Sequence, residues 1–188
     1  MRIIINDSSA LIDLAKTRLL ENLLRLPYRF VIPDVLYADE LITLRHYRRE
    51  QLLDIGFVLG ELDGLQVGKV GEYNHRYPAL SLNDCFALVM AETTADAVLL
   101  TGDQRLRRVA EQQGVAVHGI LWILDQAYEQ GAVEAATLHA ALLVLARDPL
   151  TRLPGKELQR RIQDLIKALS AFQPAEAKSR KLDGQPVV

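Results

Sequence analysis

The chain has only one cysteine and no long apolar run, which argues against a disulfide-rich protein and against a membrane-spanning one. Cys85 alone cannot form an internal disulfide, which suits a reducing compartment. No apolar run approaches the roughly 18 residues of a membrane-spanning helix, and the isoleucines at positions 3–5 are too few for a signal-peptide core. We therefore expect a soluble, cytoplasmic protein without membrane association.

The sequence also lacks a strong excess of charge of either sign. Its formal net charge is -2 and its pI is about 6.1, so a polyanion such as RNA would have to bind to a local basic patch. No internal repeat is visible, and 188 residues of which 49% are apolar are enough for one well-packed domain. The composition therefore excludes a fibrous or disordered chain.

Short apolar runs alternate with segments of helical periodicity over the first 120 residues. The runs lie at residues 2–5, 29–32, 57–59, 97–101 and 115–118. This alternation predicts βαβ units and a three-layer α/β/α fold with a central parallel sheet. One of the predicted helices runs from Pro33 to about Arg48 and carries Glu40. From Ile120 onward we expect helices only, the last from Gly155 to Ala171.

Three aspartates occupy strand ends or helix starts. Asp7 follows the first strand, Asp103 follows the strand at 97–101 in the turn TGD, and Asp84 lies in the first turn of a helix. Functional groups collect at the carboxyl ends of parallel strands, so Asp7 and Asp103 should lie together if their strands are neighbours. For Asp103 the simpler alternative is a helix N-cap, because a side-chain oxygen there accepts hydrogen bonds from free helix N–H groups.

The order of DSSALI, YADEL, SLNDCFALVMAE and VLLTGDQRLRRVAEQQGV resembles that of the PIN-domain nucleases, in particular their toxin-like (VapC-type) bacterial and archaeal branch. The resemblance covers about residues 1–125. It implies a metal-dependent endoribonuclease, commonly paired with an antitoxin protein that blocks the site. The residues it implies are the catalytic and metal-binding Asp7, Glu40, Asp84 and Asp103, with Ser8, Ser9 and Thr101 as supporting hydroxyls. Asp39, beside Glu40, is an alternative for the second acidic position.

The chemistry of the residues agrees with this implication. Four carboxylates in one pocket repel one another, which protonation or a bound cation relieves. Carboxylate oxygens without histidine or thiolate ligands favour Mg²⁺ or Mn²⁺ over Zn²⁺, and the four histidines are scattered along the chain. We expect the three aspartates to bind the metal directly, and Glu40 to bind it directly or through water. One metal ion and two remain equally open.

RNA should be bound by basic residues that flank the acidic pocket. Two clusters follow the acidic positions: Arg105, Arg107 and Arg108 after Asp103, and Arg45, Arg48 and Arg49 in the helix expected to carry Glu40. The alternative is that they form ordinary solvated helix faces. The candidates for stacking on bases are Tyr37, Tyr47, Tyr73 and Tyr77. Trp122 lies in the apolar segment GILWIL, which belongs either to the core or to a homodimer interface.

The predicted organisation is a PIN-like nuclease domain at residues 1–147, a helical extension at 148–171 and a flexible tail at 172–188. Two other functions stay open. One is a catalytically silent PIN-like module that binds a protein. The other is a Mg²⁺-dependent phosphoryl-transfer enzyme of the haloacid dehalogenase or receiver type. Against this last class, Ser9 stands where the dehalogenases have a second aspartate, and no lysine closely follows the strand at 115–118.

Overall fold

The computed structural model describes residues 1–41 and 44–171, so the tail predicted at 172–188 lies outside the described residues. The strands are β1 (Arg2–Asn6), β2 (Tyr28–Pro33), β3 (Val58–Gly60), β4 (Ala97–Leu100) and β5 (Val117–His118). The helices are α1 (Ser8–Thr17), α2 (Leu20–Leu23), α3 (Asp34–Asp39), α4 (Arg49–Ile55), α5 (Gly64–Arg76), α6 (Leu82–Thr93), α7 (Gln104–Gln112), α8 (Ile120–Glu129), α9 (Ala135–Arg147) and α10 (Gly155–Ala171).

All five strands form one parallel sheet in the order β3-β2-β1-β4-β5. The chain moves outward from β1 to β3 and then returns to the other side of β1 with β4, so the strand order reverses between β1 and β4. In open α/β sheets, ligand sites lie beyond the carboxyl ends of the strands at this point of reversal. The parallel sheet and its flanking helices confirm the expected α/β fold, and β1 and β4 are neighbours.

The central strands are apolar along most of their length because helices cover both faces of the sheet. Ile4 and Ile5 of β1 pair in register with Val98 and Leu99 of β4, and all four side chains are buried. Helix α6 packs against β1, β2 and β4, which explains its nearly continuous buried run from Ala87 to Ala91. The two strands and the helix that carry the candidate aspartates thus share one core.

The helix predicted from Pro33 to about Arg48 is wrong. Helix α3 ends at Asp39, and the N–H groups of Glu40 and Leu41 both bond the carbonyl of Leu36 as the chain turns away. Leu41 is fully buried and Leu44 nearly so, although they lie outside α3. The two leucines fit the helical spacing of apolar residues because they are buried in the core. A turn can bury them as well as a helix can. Glu40 therefore lies directly after a helix and not within one.

The segment GILWIL begins α8 and packs within the chain. Ile120, Ile123 and Leu124 are buried, and Trp122 is half-buried. Farther along, α9 packs against α1, and α10 packs against α9. Among the described residues, no helix is long and apolar enough to cross a membrane.

Candidate active site

Asp7 lies directly beyond β1 and is joined to the end of β4. Its backbone N–H bonds the carbonyl of Leu100 at 3.0 Å, and its side chain is 4% exposed. Its Oδ2 atom accepts hydrogen bonds from the hydroxyl of Thr101 at 2.8 Å and from the hydroxyl of Ser9. Asp7 occupies the N-cap position of α1 but accepts no capping hydrogen bond with its side chain. Its carboxylate is therefore held across two strands and takes no part in capping the helix.

The environment of Asp7 disfavours its charged form. Burial raises the pKa of this carboxyl to about 6, against the opposing effect of the hydroxyls of Ser9 and Thr101, and the charges of Asp84 and Glu40 raise it further. Asp84 and Glu40 are therefore close enough to Asp7 for their charges to act on its carboxyl. Asp7 is the buried member of the group.

Asp84 is fixed at the start of α6 by a capping box with Ser81. The hydroxyl of Ser81 accepts from the Asp84 N–H at 3.0 Å, and Oδ2 of Asp84 accepts from the Ser81 N–H at 2.7 Å. Burial raises the pKa of Asp84 and outweighs its hydrogen bonds with Ser81, and the charges of Asp103 and Glu40 act in the same direction as burial. The carboxylate of Asp84 therefore interacts electrostatically with those of Asp103 and Glu40.

Asp103 is the N-cap of α7. Its Oδ1 atom accepts from the N–H groups of Arg105 at 2.6 Å and Leu106 at 3.1 Å, and its own N–H donates to the hydroxyl of Thr101 at 3.0 Å. Burial alone would raise the pKa of Asp103, but the two N–H groups and the Arg105 guanidinium outweigh it and lower the pKa. The capping role considered from the sequence is therefore present, together with proximity to the other carboxylates.

Glu40 is held from the neighbouring helix. The side-chain amide of Asn83, one residue before Asp84, donates to Oε1 of Glu40 at 2.8 Å. Asp39, the alternative for this position, is exposed and accepts no hydrogen bond from the described residues. Sequence analysis missed Asn83, although its place beside Asp84 at the start of α6 was a usable signal.

The four carboxylates share one arrangement: in each, the main hydrogen bonds go to one oxygen. Oδ1 of Asp7, Oδ1 of Asp84 and Oε2 of Glu40 accept no hydrogen bond from the described residues. Oδ2 of Asp103 has only the guanidinium of Arg105 at 3.4 Å. Within residues 1–41 and 44–171, no three His, Cys, Asp or Glu side chains are close enough to form a ready-made metal cage. The group thus provides free oxygen ligands without enclosing a cation.

The supporting hydroxyls divide into two that contact the site and one that does not. Ser9 and Thr101 both bond Asp7, and Thr101 also bonds the Asp103 N–H. The hydroxyl of Ser8 is buried and has no hydrogen-bond partner within the described part of the chain. Ser9 and Thr101 are therefore the hydroxyls that position the carboxylates.

The predicted arginine clusters are only partly available for RNA. Arg45 and Arg48 do not continue a helix as predicted, and Arg49 begins the separate helix α4. The guanidinium of Arg49 lies 5.2 Å from the ring centroid of Tyr37. The two side chains thus pack on each other, which leaves less of each for RNA. Arg105 lies against Asp103, Arg107 donates to the carbonyl of Val117 at 3.4 Å, and Arg108 donates to the carbonyl of Gln104 at 3.3 Å.

The predicted stacking tyrosines are less exposed than the sequence suggested. Tyr73 is buried, and its hydroxyl bonds Glu92 and Gln113, so it is not a stacking platform. Tyr37, Tyr47 and Tyr77 are half-buried against the core. Tyr73 is therefore excluded as a stacking residue, and the other three present only part of their surface to solvent.

The sequence as a whole matches the model of the PIN-domain family DUF3368 over residues 3–167. The chain belongs to the PIN-domain family. The match covers the sheet, the four carboxylates and most of α10, and PIN domains are generally nucleases. Membership in this family also argues against the dehalogenase and receiver alternatives. No curated protein and no solved structure shows significant similarity to the chain.

Proposed function

We propose that this PIN-domain protein is a metal-dependent endoribonuclease that cleaves single-stranded RNA. The observation that carries the proposal is the buried carboxylate of Asp7, which lies where the strand order reverses and whose pKa is raised further by the charges of Asp84 and Glu40. A buried carboxylate among like charges destabilises the fold unless it is protonated or binds a cation, and strongly shifted pKa values concentrate at functional sites.

The donor set suits Mg²⁺ or Mn²⁺. These hard cations prefer oxygen ligands, and Mg²⁺ is usually held by one or two carboxylates together with water and substrate phosphate. Such a cation does not require three protein ligands in a closed cage, which agrees with the open arrangement of the carboxylates. Asp7, Asp84 and Asp103 would hold the cation, and Glu40 would bind it directly or through water.

The bound cation would activate a water molecule and neutralise negative charge that develops on the phosphodiester. The protein's own contribution is positioning. Thr101 and Ser9 fix Asp7, the capping box fixes Asp84, the start of α7 fixes Asp103, and Asn83 fixes Glu40. Each carboxylate keeps an oxygen that could bind a cation, and the side chains would draw closer around it when it binds.

The finer part of the proposal is that the protein is the toxin of a toxin–antitoxin pair. The sequence motifs resemble the toxin-like branch, and an acidic site beyond the carboxyl ends of the central strands is a place where a second protein could block the carboxylates. A small gene for a DNA-binding or disordered protein directly upstream would support this role. Growth arrest on expression, relieved by co-expression of that neighbour, would test it.

The nuclease proposal is tested by incubating purified protein with labelled single-stranded RNA in Mg²⁺, in Mn²⁺ and in EDTA. We expect cleavage with either metal and none with EDTA, and none by Asp7→Asn under any condition. Cleavage that persists in EDTA would overturn the metal mechanism. Cleavage by Asp7→Asn at the wild-type rate would indicate a contaminating nuclease or a site elsewhere.

A further inference from the structure

A cavity of about 260 Å³ lies beside the acidic site, beyond the carboxyl ends of β4 and β5. Its walls come from the turn before α7, the start of α8 and the loop that leads into α10. Thr101 belongs to both places, because its hydroxyl bonds Asp7 and its residue lines the cavity. The cavity and the acidic site are therefore directly adjacent.

Arg107 and Arg152 give the cavity its positive charge. Arg152 is exposed and has no ion pair or hydrogen bond with the described residues. The nearest acidic partner of Arg107 is Glu111, 3.8 Å away and more than half exposed, a pair that contributes little. Arg107 also donates to the carbonyl of Val117 at 3.4 Å. Arg152 thus has its whole guanidinium available for an anion, and Arg107 has the donors that it does not give to Val117.

The other charged groups of the cavity neutralise one another. The guanidinium of Arg161 donates to both oxygens of Asp125, with a shortest distance of 2.7 Å, and to Glu157 at 2.9 Å. Glu157 also pairs with Arg160 at 2.9 Å. Hence the free charge of the cavity is that of its two other arginines, and it is positive.

The loop that carries Arg152 is tied to α1. Lys16, 8% exposed, bonds Asp13 at 2.7 Å and Thr151 at 3.0 Å and pairs with Asp148 at 3.2 Å. Thr151 in turn donates to Asp13 at 3.1 Å. Buried ion pairs with several hydrogen bonds hold the elements that they join in one arrangement. The loop that carries Arg152 is therefore fixed against α1.

We propose that this cavity is a nucleotide subsite that binds a phosphate of the RNA strand next to the one positioned at the carboxylates. This inference rests on the proposed nuclease function. Guanidinium groups bind phosphate through charge-assisted hydrogen bonds, and this cavity is lined by two of them, Arg107 and Arg152, without a strong acidic partner. The volume lies just below that of pockets for drug-sized ligands, which suits one nucleotide.

The cavity also contains its own reporter. Trp122 lines the cavity and is the only tryptophan of the chain, so its fluorescence reports occupancy without a label. Its ring stacks on His118 at 4.2 Å, and it is also roughly parallel to Tyr28 at 6.2 Å. The indole therefore packs against His118 and Tyr28, and the arginines of the cavity would bind the phosphate.

The experiment titrates hexauridylate into the full-length protein in EDTA, where binding is measured without metal-dependent cleavage. Trp122 emission and the affinity are followed at several salt concentrations. Arg152→Ala and Arg107→Ala should each weaken binding about tenfold. Each should also reduce the slope of log affinity against log salt by about 0.7, the value of one lost phosphate contact on a single strand. Arg25→Ala, an exposed substitution in the turn before β2 at the opposite end of the sheet, is the control and should leave the slope unchanged.

Unchanged Trp122 emission on addition of hexauridylate, or equal slopes for Arg152→Ala and Arg25→Ala, would overturn the subsite. That result would leave RNA to bind elsewhere and the cavity to a different partner, such as an acidic protein segment. The outcome is separate from the nuclease test. A smaller salt slope in Arg152→Ala than in wild type, without any metal-dependent cleavage by wild type, would support the subsite and refute the nuclease.

Discussion

The turns after β1 and β4 have the same order of strand, aspartate and helix, yet their aspartates do different work. Asp103 caps α7 through two backbone N–H groups, and its pKa is lowered. Asp7 stands at the same position before α1 but caps nothing, and its pKa is raised to about 6. Its hydrogen bonds go instead to Ser9 and, across the strands, to Thr101.

The stability of the fold explains why an aspartate is present at position 103 but not why one is present at position 7. Capping stabilises a helix, so Asp103 would have a reason to be present without any ligand. Asp7 has a charged form that the native structure disfavours by about 3 kcal/mol above pH 6, as its pKa displacement from 3.8 implies. A residue that destabilises the fold when charged is best explained by function.

The largest effect should come from Asp7→Asn. Asparagine retains an oxygen for the Ser9 and Thr101 hydroxyls but cannot carry the charge that a cation needs. RNA cleavage should fall more than about 100-fold, since even supporting residues of metal sites cause losses approaching that size. In EDTA at pH 7.5 the variant should be more stable than wild type by up to about 3 kcal/mol. Initial rates and urea unfolding measure the two changes.

The pH dependence of that stability difference identifies its cause. The native state holds the Asp7 proton up to about pH 6, whereas the unfolded chain releases it near pH 3.8. Wild-type stability therefore decreases as pH rises from about 4 to 6, relative to Asp7→Asn, and the difference is constant above that window. A difference between the two proteins that is the same at pH 4 and pH 7.5 would contradict the raised pKa.

A smaller effect on stability is expected at Asp103, where capping and metal binding can be separated. In EDTA, Asp103→Asn should be nearly neutral because asparagine is an equally good N-cap, whereas Asp103→Ala should cost about 1 kcal/mol. Mn²⁺ should raise the melting temperature of wild type by mass action and that of both variants much less. Equal Mn²⁺ shifts in wild type and Asp103→Asn would leave Asp103 as a cap only.

Local patterns in the sequence predicted the alternating elements, the parallel sheet and the last helix, because each depends on the periodicity of neighbouring residues. They did not predict where α3 ends. Leu41 and Leu44 fit a helical stripe, and only the packed core shows that they are buried from a turn. Nor could they distinguish Asp7 from Asp103, because that choice depends on Thr101, 94 residues from Asp7.

Local patterns in the sequence could not predict the cavity or the position of Glu40, because both depend on residues far apart in the chain. Asn83 holds Glu40 across 43 residues, and Lys16 holds the loop of Arg152 through Thr151, 135 residues away. Contacts of this range follow from the folded arrangement of α1, α3, α6 and the loop before α10. The motif order identified which carboxylates to examine, and the tertiary structure identified what fixes each of them.

The smallest effect is expected at Asn83, whose side-chain amide donates a hydrogen bond to Glu40. Asn83→Ala removes the hydrogen bond that holds Glu40 but leaves all four carboxylates in place. We expect kcat to fall about tenfold or less, at the low end for a supporting residue of a metal site, with KM for RNA little changed. Stability should stay equal or rise slightly because alanine favours the helix. Asn74→Ala, an exposed substitution in α5, is the matched control for that helix effect. If both variants cleave RNA at the same rate, Glu40 does not depend on Asn83, and its place in the site must be fixed by the substrate or the cation instead.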